Sequence, residues 1–329
     1  ALLCYLLLES NKQFLNYVLS KPDTDTFMVP LLHKLHRYSL SHNREPNHEQ
    51  KSAMKKTNAR SNTSTPDDSN MSTSGSNGSV YTNSPRGDQS PMMSNNGNRE
   101  IVVQDNLRYL IARGSSAITS GGMGQITDKD RSEDSSHIFI LCTILLILSQ
   151  DVNFNYNNHL QMLETVPWYN ESVLNNIRLG SLTCIIMFKI MLSNIRTRKD
   201  MYLNDNCLAV INNMCVNMEG MHMVCAQRFL HFSTVLARKI LGIADKISMT
   251  FLSSFLLTEM SLYMQFLQLS LEAMNTVVTY NLKRNPNLIY ELLQHRKSVE
   301  TLLRIPQRLS ELNLVPYVDS ELLSSICLL

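Results

Sequence analysis

The chain has 329 residues, 43% of them hydrophobic and 18% charged, with a formal net charge of +2. A balance so near neutral supplies no field strong enough to hold nucleic acid by neutralising its phosphates. The seven cysteines are scattered, odd in number and mostly set in apolar runs such as Ile140-Leu141-Cys142-Thr143-Ile144, which reads as reduced, buried thiols and excludes a disulfide framework. The sequons at Asn62 and Asn170 then have no expected use.

The first residues, Ala1-Leu2-Leu3-Cys4-Tyr5, lack a Met and already lie inside an apolar periodic pattern, as expected of a fragment of a longer protein. Ala1 to Ser20 reads as one helix, stopped by Lys21-Pro22-Asp23. A second helix is expected from Thr26 to Leu40, with Pro30 in its first turn. Composition then changes sharply. Eight of the 11 glycines lie between Gly75 and Gly124, and Asn43 to Ser136 is dominated by Ser, Asn, Thr and Gly. Ordering such a segment costs about 1–2 kcal/mol per residue, and it has little apolar area to offset that, so it is predicted to be disordered. Within it, Glu100 to Arg113 is the one helix candidate, with Val103, Leu107, Leu110 and Ile111 on one face.

Helices resume at His137. The run Ile138 to Leu148 is the most membrane-like stretch, but as a helix it spans only about 16 Å, short of the ~20 residues a bilayer core requires. After Pro167-Trp168-Tyr169 a helix is expected from Glu171 through Leu192, its apolar run interrupted by Lys189. Leu203, Cys207, Ile211, Met214 and Met218 mark the next helix, and Cys225, Phe229, Phe232, Leu236 and Ile240 the one after. Between Ile243 and Asn285, Leu252, Leu256, Met260, Tyr263, Leu267, Leu271, Met274 and Val278 form one stripe. Opposite it run Ser254, Thr258, Ser261, Gln265, Gln268, Glu272, Asn275 and Thr279. Asn285-Pro286 ends that helix, and Asn287 to Arg304 starts another. No strand pattern stands out.

These elements predict an all-α fold of stacked antiparallel helices, α-solenoid-like in the manner of HEAT or armadillo proteins and interrupted by a long disordered insertion. The expected divisions are helical residues 1–42, the low-complexity insertion 43–136, the continuing helical stack 137–305, and a divergent or truncated tail 306–329.

Several segments resemble the dymeclin family. They are Asn16 to Ser20, Val29 to His48 (VPLLHKLHRYSLSHNREPNH), Ile144 to Asn155, VPWYNE at 166–171, LGSL at 179–182, YLNDNCLAVINNM at 202–214 and NPNLIYELLQHRKSV at 286–299. In that family HNREPNH is continuous with the helix that here starts at His137, which makes residues 49–136 an insertion; similarity fades after Glu300. The resemblance implies a helical, cytoplasmic protein held peripherally on Golgi membranes and needed for Golgi organisation and vesicle traffic. Its implied partners are other proteins of the trafficking machinery. It also implies an N-terminal glycine carrying myristate, upstream of Ala1.

No residue set reads as a catalytic, cofactor or metal site. Cys207, Cys215, His222 and Cys225 lack a CxxC pair and mix seven- and nine-residue gaps, so packing is expected of them. His33 and His36 share a helical face and, with His42 or His48, make only a notional half-site. Gly121-Gly122-Met123-Gly124 lacks the Lys-Ser/Thr and preceding strand of a phosphate loop. The basic runs Arg196-Thr197-Arg198-Lys199 and His295-Arg296-Lys297 are expected to be solvated helix ends, with contact to anionic lipid as the alternative. The 18 methionines are expected to fill the core. The leading reading is a non-enzymatic membrane-traffic scaffold with no small-molecule substrate and no cofactor. Against it stand an enzyme, a lipid or thiol hydrolase built on Cys and His residues, and an integral membrane protein, which the charge-interrupted apolar runs oppose.

Overall fold

The computed structural model describes residues 1–41, 126–197, 199–249, 254–312 and 314, excepting the side chains of 41, 126–135, 248 and 249. Most of the predicted insertion, including the Glu100–Arg113 candidate and the Gly121–Gly124 run, lies outside them, as does most of 306–329.

The N-terminal stretch is two helices, α1 (Leu2–Ser10) and α2 (Lys12–Leu19), rather than one. The break is at Asn11, which leaves the helical region and accepts the Phe14 amide on its side chain at 3.0 Å, as an N-cap does. Helix α3 (Asp25–Ser41) carries Pro30 in its second turn, so its hydrogen bond to the Thr26 carbonyl is forgone. Helix α4 (Ile126–Ser149) begins before His137, and Asp151 caps α5 (Val152–Leu160) by accepting from Phe154 at 2.8 Å.

Between α5 and the next helix lies an element the sequence reading missed. Met162–Thr165 (β1) and Asn175–Arg178 (β2) pair antiparallel, with Met162 opposite Arg178 and Leu163 opposite Ile177. Each strand has four residues and β2 begins Asn-Asn, too short and too polar to display a period of two. Glu171 therefore belongs to the hairpin loop, and the helix expected from it starts at Leu179.

Six further helices follow: α6 (Leu179–Thr197), α7 (Met201–Cys215), α8 (Met223–Met249), α9 (Ser254–Asn281), α10 (Pro286–Gln294) and α11 (Arg296–Glu311). The last two replace the single helix expected after Asn285. His295 leaves helical geometry between them, and α11 continues through Pro306 instead of stopping at Arg304.

The helices stack as the apolar stripes require. Helix α6 is the centre, packed by α3, α5, α7 and α8, and every residue from Leu179 to Ile195 is buried. It is long and apolar enough to cross a membrane by composition, yet 94% of that apolar window is enclosed by its own neighbours. Phe188 meets the Phe229 ring edge-on, with centroids 4.5 Å apart, which fixes the inner face of α8. Along α9 the stripe Met260, Tyr263, Leu267, Leu271 and Met274 is buried, while Leu256 and Val278 at its ends are half-covered. Helix α3 packs on α4 even though residues 42–125 separate them in sequence, and Tyr38 lies flat on His137 at 5.4 Å.

Three outcomes are expected. Leu267→Ala, emptying a fully buried site, should cost about 2–5 kcal/mol in chemical denaturation. Gln268→Ala, on the polar side, should stay within about 0.5 kcal/mol. Because lengthening a loop adds closure entropy only logarithmically, joining His48 to Ile126 should leave helical circular dichroism and the midpoint of thermal unfolding close to those of the full chain.

Candidate functional site

The helical core contains a cation. Lys189 sits in the middle of α6, its side chain 5% exposed, among residues that are otherwise nearly all apolar. A buried ammonium is tolerated only with a counter-charge and hydrogen bonds, and the hairpin loop supplies them. The Glu171 carboxylate accepts from Lys189 Nζ at 2.8 Å and from Arg228 of α8 at 2.5 Å. Tyr169 donates its hydroxyl to the same carboxylate at 3.1 Å. On its other side Lys189 meets Nδ1 of His36, from α3, at 3.1 Å. Trp168 covers the cluster, stacking on His33 at 5.0 Å and tilting against His36 at 5.4 Å. The Lys189–Glu171 pair thus joins α3, α6, α8 and the loop.

The electrostatics follow from burial and position. Burial alone would raise the Glu171 pKa, but the hydrogen bond and charge of Lys189, together with Arg228, outweigh it and hold the carboxyl below its ordinary value. Lys189 is lowered because burial disfavours its charge more than Glu171 restores it. The asymmetry has a plain cause: the lysine is sealed, whereas the Glu171 side chain is 34% exposed. Burial and the Lys189 charge push His36 down to about 4. The ring is therefore neutral near pH 7, with Nδ1 free to accept from the ammonium. His36 Nε2 is buried without a hydrogen-bond partner.

The candidates named from sequence fall elsewhere. Cys207 lies against Cys142, sulfurs 3.9 Å apart, while Cys215 and Cys225 both gather on Cys184. His222 accepts the Val224 amide on Nδ1 at 3.2 Å and closes the start of α8 instead of joining the thiols. Among the described residues no group of three or more His, Cys, Asp or Glu could hold a metal ion. Cys184 has His159 as an electrostatic neighbour, but both are fully enclosed, so no substrate reaches the pair. His33 and His36 come together on Trp168, and His42 and His48 lie outside the described residues. Lys199 pairs with Glu259 at 2.9 Å, His295 with Glu291 at 3.1 Å and Arg296 with Glu300 at 3.2 Å. Arg198 is outside the described residues. Among the described residues nine methionines, Met187, Met191 and Met274 included, are buried in the core.

The sequence reading gave Glu171, Arg228 and Trp168 no role, and used Lys189 only as an interruption. The available signal was that interruption: a lone lysine amid apolar residues demands a carboxylate partner.

Buried polar groups also define the junctions around this cluster. Asn194 donates to the Asp200 carbonyl at 2.6 Å and to Asn204 at 2.9 Å, closing the α6–α7 turn. Asn285 accepts the Met221 amide at 2.9 Å and donates to the Met218 carbonyl at 2.8 Å, tying α10 to the loop before α8. Gly180 lies directly beneath the His159 imidazole, where a Cβ would collide with the ring. Asn204, Asn213 and Gly180 lie in YLNDNCLAVINNM and LGSL, and Glu171 and Lys189 meet where VPWYNE touches α6.

These are the places where kinship is legible, and a comparison with a family profile decides it. The profile described as "Dymeclin: Dyggve-Melchior-Clausen syndrome protein" matches residues 124–325. The chain belongs to the dymeclin family. The dymeclin of Rattus norvegicus is 31% identical over 176 residues, 51% of this chain and 26% of that protein. That of Drosophila melanogaster is 33% identical over 177 residues, 51% of this chain and 25% of the fly protein. The Dictyostelium discoideum dymeclin is 30% identical over 117 residues. The chain spans about a quarter of the length of the animal dymeclins it matches. No solved structure matches it.

Glu171→Gln should cost about 1–3 kcal/mol, less than the ~3–5 of a sealed pair because water reaches that side chain. Lys189→Met should stay within about 1 kcal/mol, since it removes the buried charge and leaves Arg228 to pair with Glu171. The double variant should then lose less than Glu171→Gln alone. The pH dependence has a definite sign. Glu171 contributes fully above about pH 4.3, its unfolded value, and less as pH falls through its lower folded value. Between about 6.5 and 4 the unfolded chain protonates His36 while the folded one does not, so stability falls on acidification across that window. His36→Gln should flatten the loss, as read by urea titrations at stepped pH.

Proposed function

We propose that this chain is part of a non-enzymatic scaffold of membrane traffic, held on the cytoplasmic face of Golgi membranes, whose stacked helices dock other proteins of the trafficking machinery. Membership of the dymeclin family is the observation that carries this reading. Its support from the fold is chemical: the Lys189–Glu171 cluster inside the core is consumed by structure. Glu171 is shared among Lys189, Arg228 and Tyr169, the enclosed thiols face one another, and His222 and His159 bond to backbone. A hydrolase needs a nucleophile and base at a place a substrate can enter. Extended helical stacks, by contrast, present broad side surfaces suited to protein partners. Attachment to the membrane would be peripheral and assisted by a lipid-modified N-terminus, as the family resemblance implies.

Fractionation of cells expressing the full-length protein tests the reading. The protein should co-sediment with Golgi membranes, leave them on alkaline carbonate extraction, and on depletion disperse the Golgi ribbon. Retention in the membrane pellet after carbonate, or an intact Golgi in depleted cells, would overturn it.

A further inference from the structure

One face of α8 is cationic and has no described docking role. Phe229 and Phe232 point inward to Phe188 of α6, with ring centroids 4.5 and 5.5 Å away. The helical period therefore turns Arg228, His231, Val235, Arg238 and Gly242 outward in one row. From Arg228 to Gly242 the helix carries no carboxylate. Arg196, near the end of α6, joins the row: His231 lies within electrostatic reach of Arg196, Arg228 and Arg238 together. Arg196, His231 and Arg238 are exposed. Arg228 is tied to Glu171, but neither Arg196 nor Arg238 has a carboxylate partner among the described residues.

Three further observations limit what can sit there. The row is shallow: Val235 is half-buried, and a Cβ added at Gly242 would meet nothing within 4 Å. It is long, since ten residues from Arg228 to Arg238 rise about 15 Å, further than one phosphate can bridge. It also lacks anchors. Among the described side chains of α8 no large hydrophobic is exposed, whereas stable protein interfaces centre on buried aromatic or aliphatic anchors. A flat, extended strip whose free positive charge is carried by Arg196 and Arg238, with Arg228 already paired to Glu171, complements an array of negative headgroups better than a peptide groove or a single small anion.

We infer that the Arg196–Arg228–His231–Arg238 face of α6 and α8 lies against an anionic lipid surface. The inference deepens the peripheral-membrane reading by naming the side of the stack that meets the bilayer. Contact is electrostatic and shallow, with no insertion of side chains into the hydrocarbon. It is correspondingly sensitive to salt.

Co-sedimentation of the full chain with phosphatidylcholine vesicles, with and without 20–30 mol% phosphatidylserine (about the range that creates a strongly negative surface), tests it at low and high salt. Binding should need the anionic lipid and be lost at about 0.5 M salt. Each arginine removed should lower the partition coefficient on the order of fivefold, so Arg196→Gln/Arg238→Gln should fall roughly 25-fold. Arg296→Gln/Lys297→Gln, the same charge change on α11, should change it less than about threefold. Unchanged circular dichroism in both variants shows that they fold. Equal losses in the two variants, equal binding to neutral vesicles, or retention by the Arg196/Arg238 variant would overturn the inference. So would an acidic peptide or single-stranded oligonucleotide that binds the face while anionic vesicles do not. Golgi co-sedimentation from cells that persists alongside any of these results would leave the scaffold reading standing and remove only this face from it.

Discussion

A charge inside an apolar helix is the constraint from which the rest of the arrangement can be understood. Lys189 lies within a run of 17 consecutive buried residues, and a solitary ammonium there would be prohibitive. Glu171 must reach it, so the nine residues between β1 and β2 must fold back onto α6. Arg228 then completes the carboxylate's coordination and sets α8 in register with α6, while His36 does the same for α3. Apolar packing alone tolerates sliding of one helix along another; a carboxylate with three donors on three elements does not. Such buried ionic groups add little net stability but single out one geometry among similar ones, a role fitted to a stack whose helices are otherwise apolar and interchangeable.

The junctions obey a related rule. Loops in a helical stack leave amides and carbonyls without helical partners, and these must be paired wherever water is excluded. Asn194 and Asn285 do this with short side chains that donate and accept at once, while Asn204 accepts from Asn194 and Asn213 donates to the Ser149 hydroxyl. Asp151 and Asp200 cap the helices that follow them. The family-like segments are consequently rich in asparagine at turns as well as in leucine within helices. Gly180 belongs to the same logic, since the His159 ring, fixed through Nε2 to the Met214 carbonyl at 2.8 Å, occupies the space of a side chain.

What could be read from sequence was whatever repeats along a helix. The α9 stripe, the Cys225–Ile240 spacing and the polar character of the long insertion are periodic or compositional, and Met260, Tyr263 and Leu267 are buried as that periodicity requires. Breaks within helices were harder to see. Asn11 and His295 end helices by a single non-helical residue, and nothing in the surrounding apolar pattern marks them. Strands β1 and β2 were invisible because four residues cannot establish a period. The polar cluster was hidden for a different reason: its members come from residues 36, 169, 171, 189 and 228, and pairing across such separations leaves no local trace. Only the chemical oddity of Lys189 pointed towards it.

Helices α3 and α4 touch along their sides although residues 42–125 lie between them in the chain. The energetic penalty for closing such a connection rises by only about 0.6 kcal/mol for each doubling of its length. For evolution this makes the junction a neutral site for length. Coding sequence can enter, expand or vanish there under almost no selection for stability, while the Tyr38–His137 contact keeps the two flanking helices in place. Segments of very different length can therefore be accommodated at this point at little cost to the folded core.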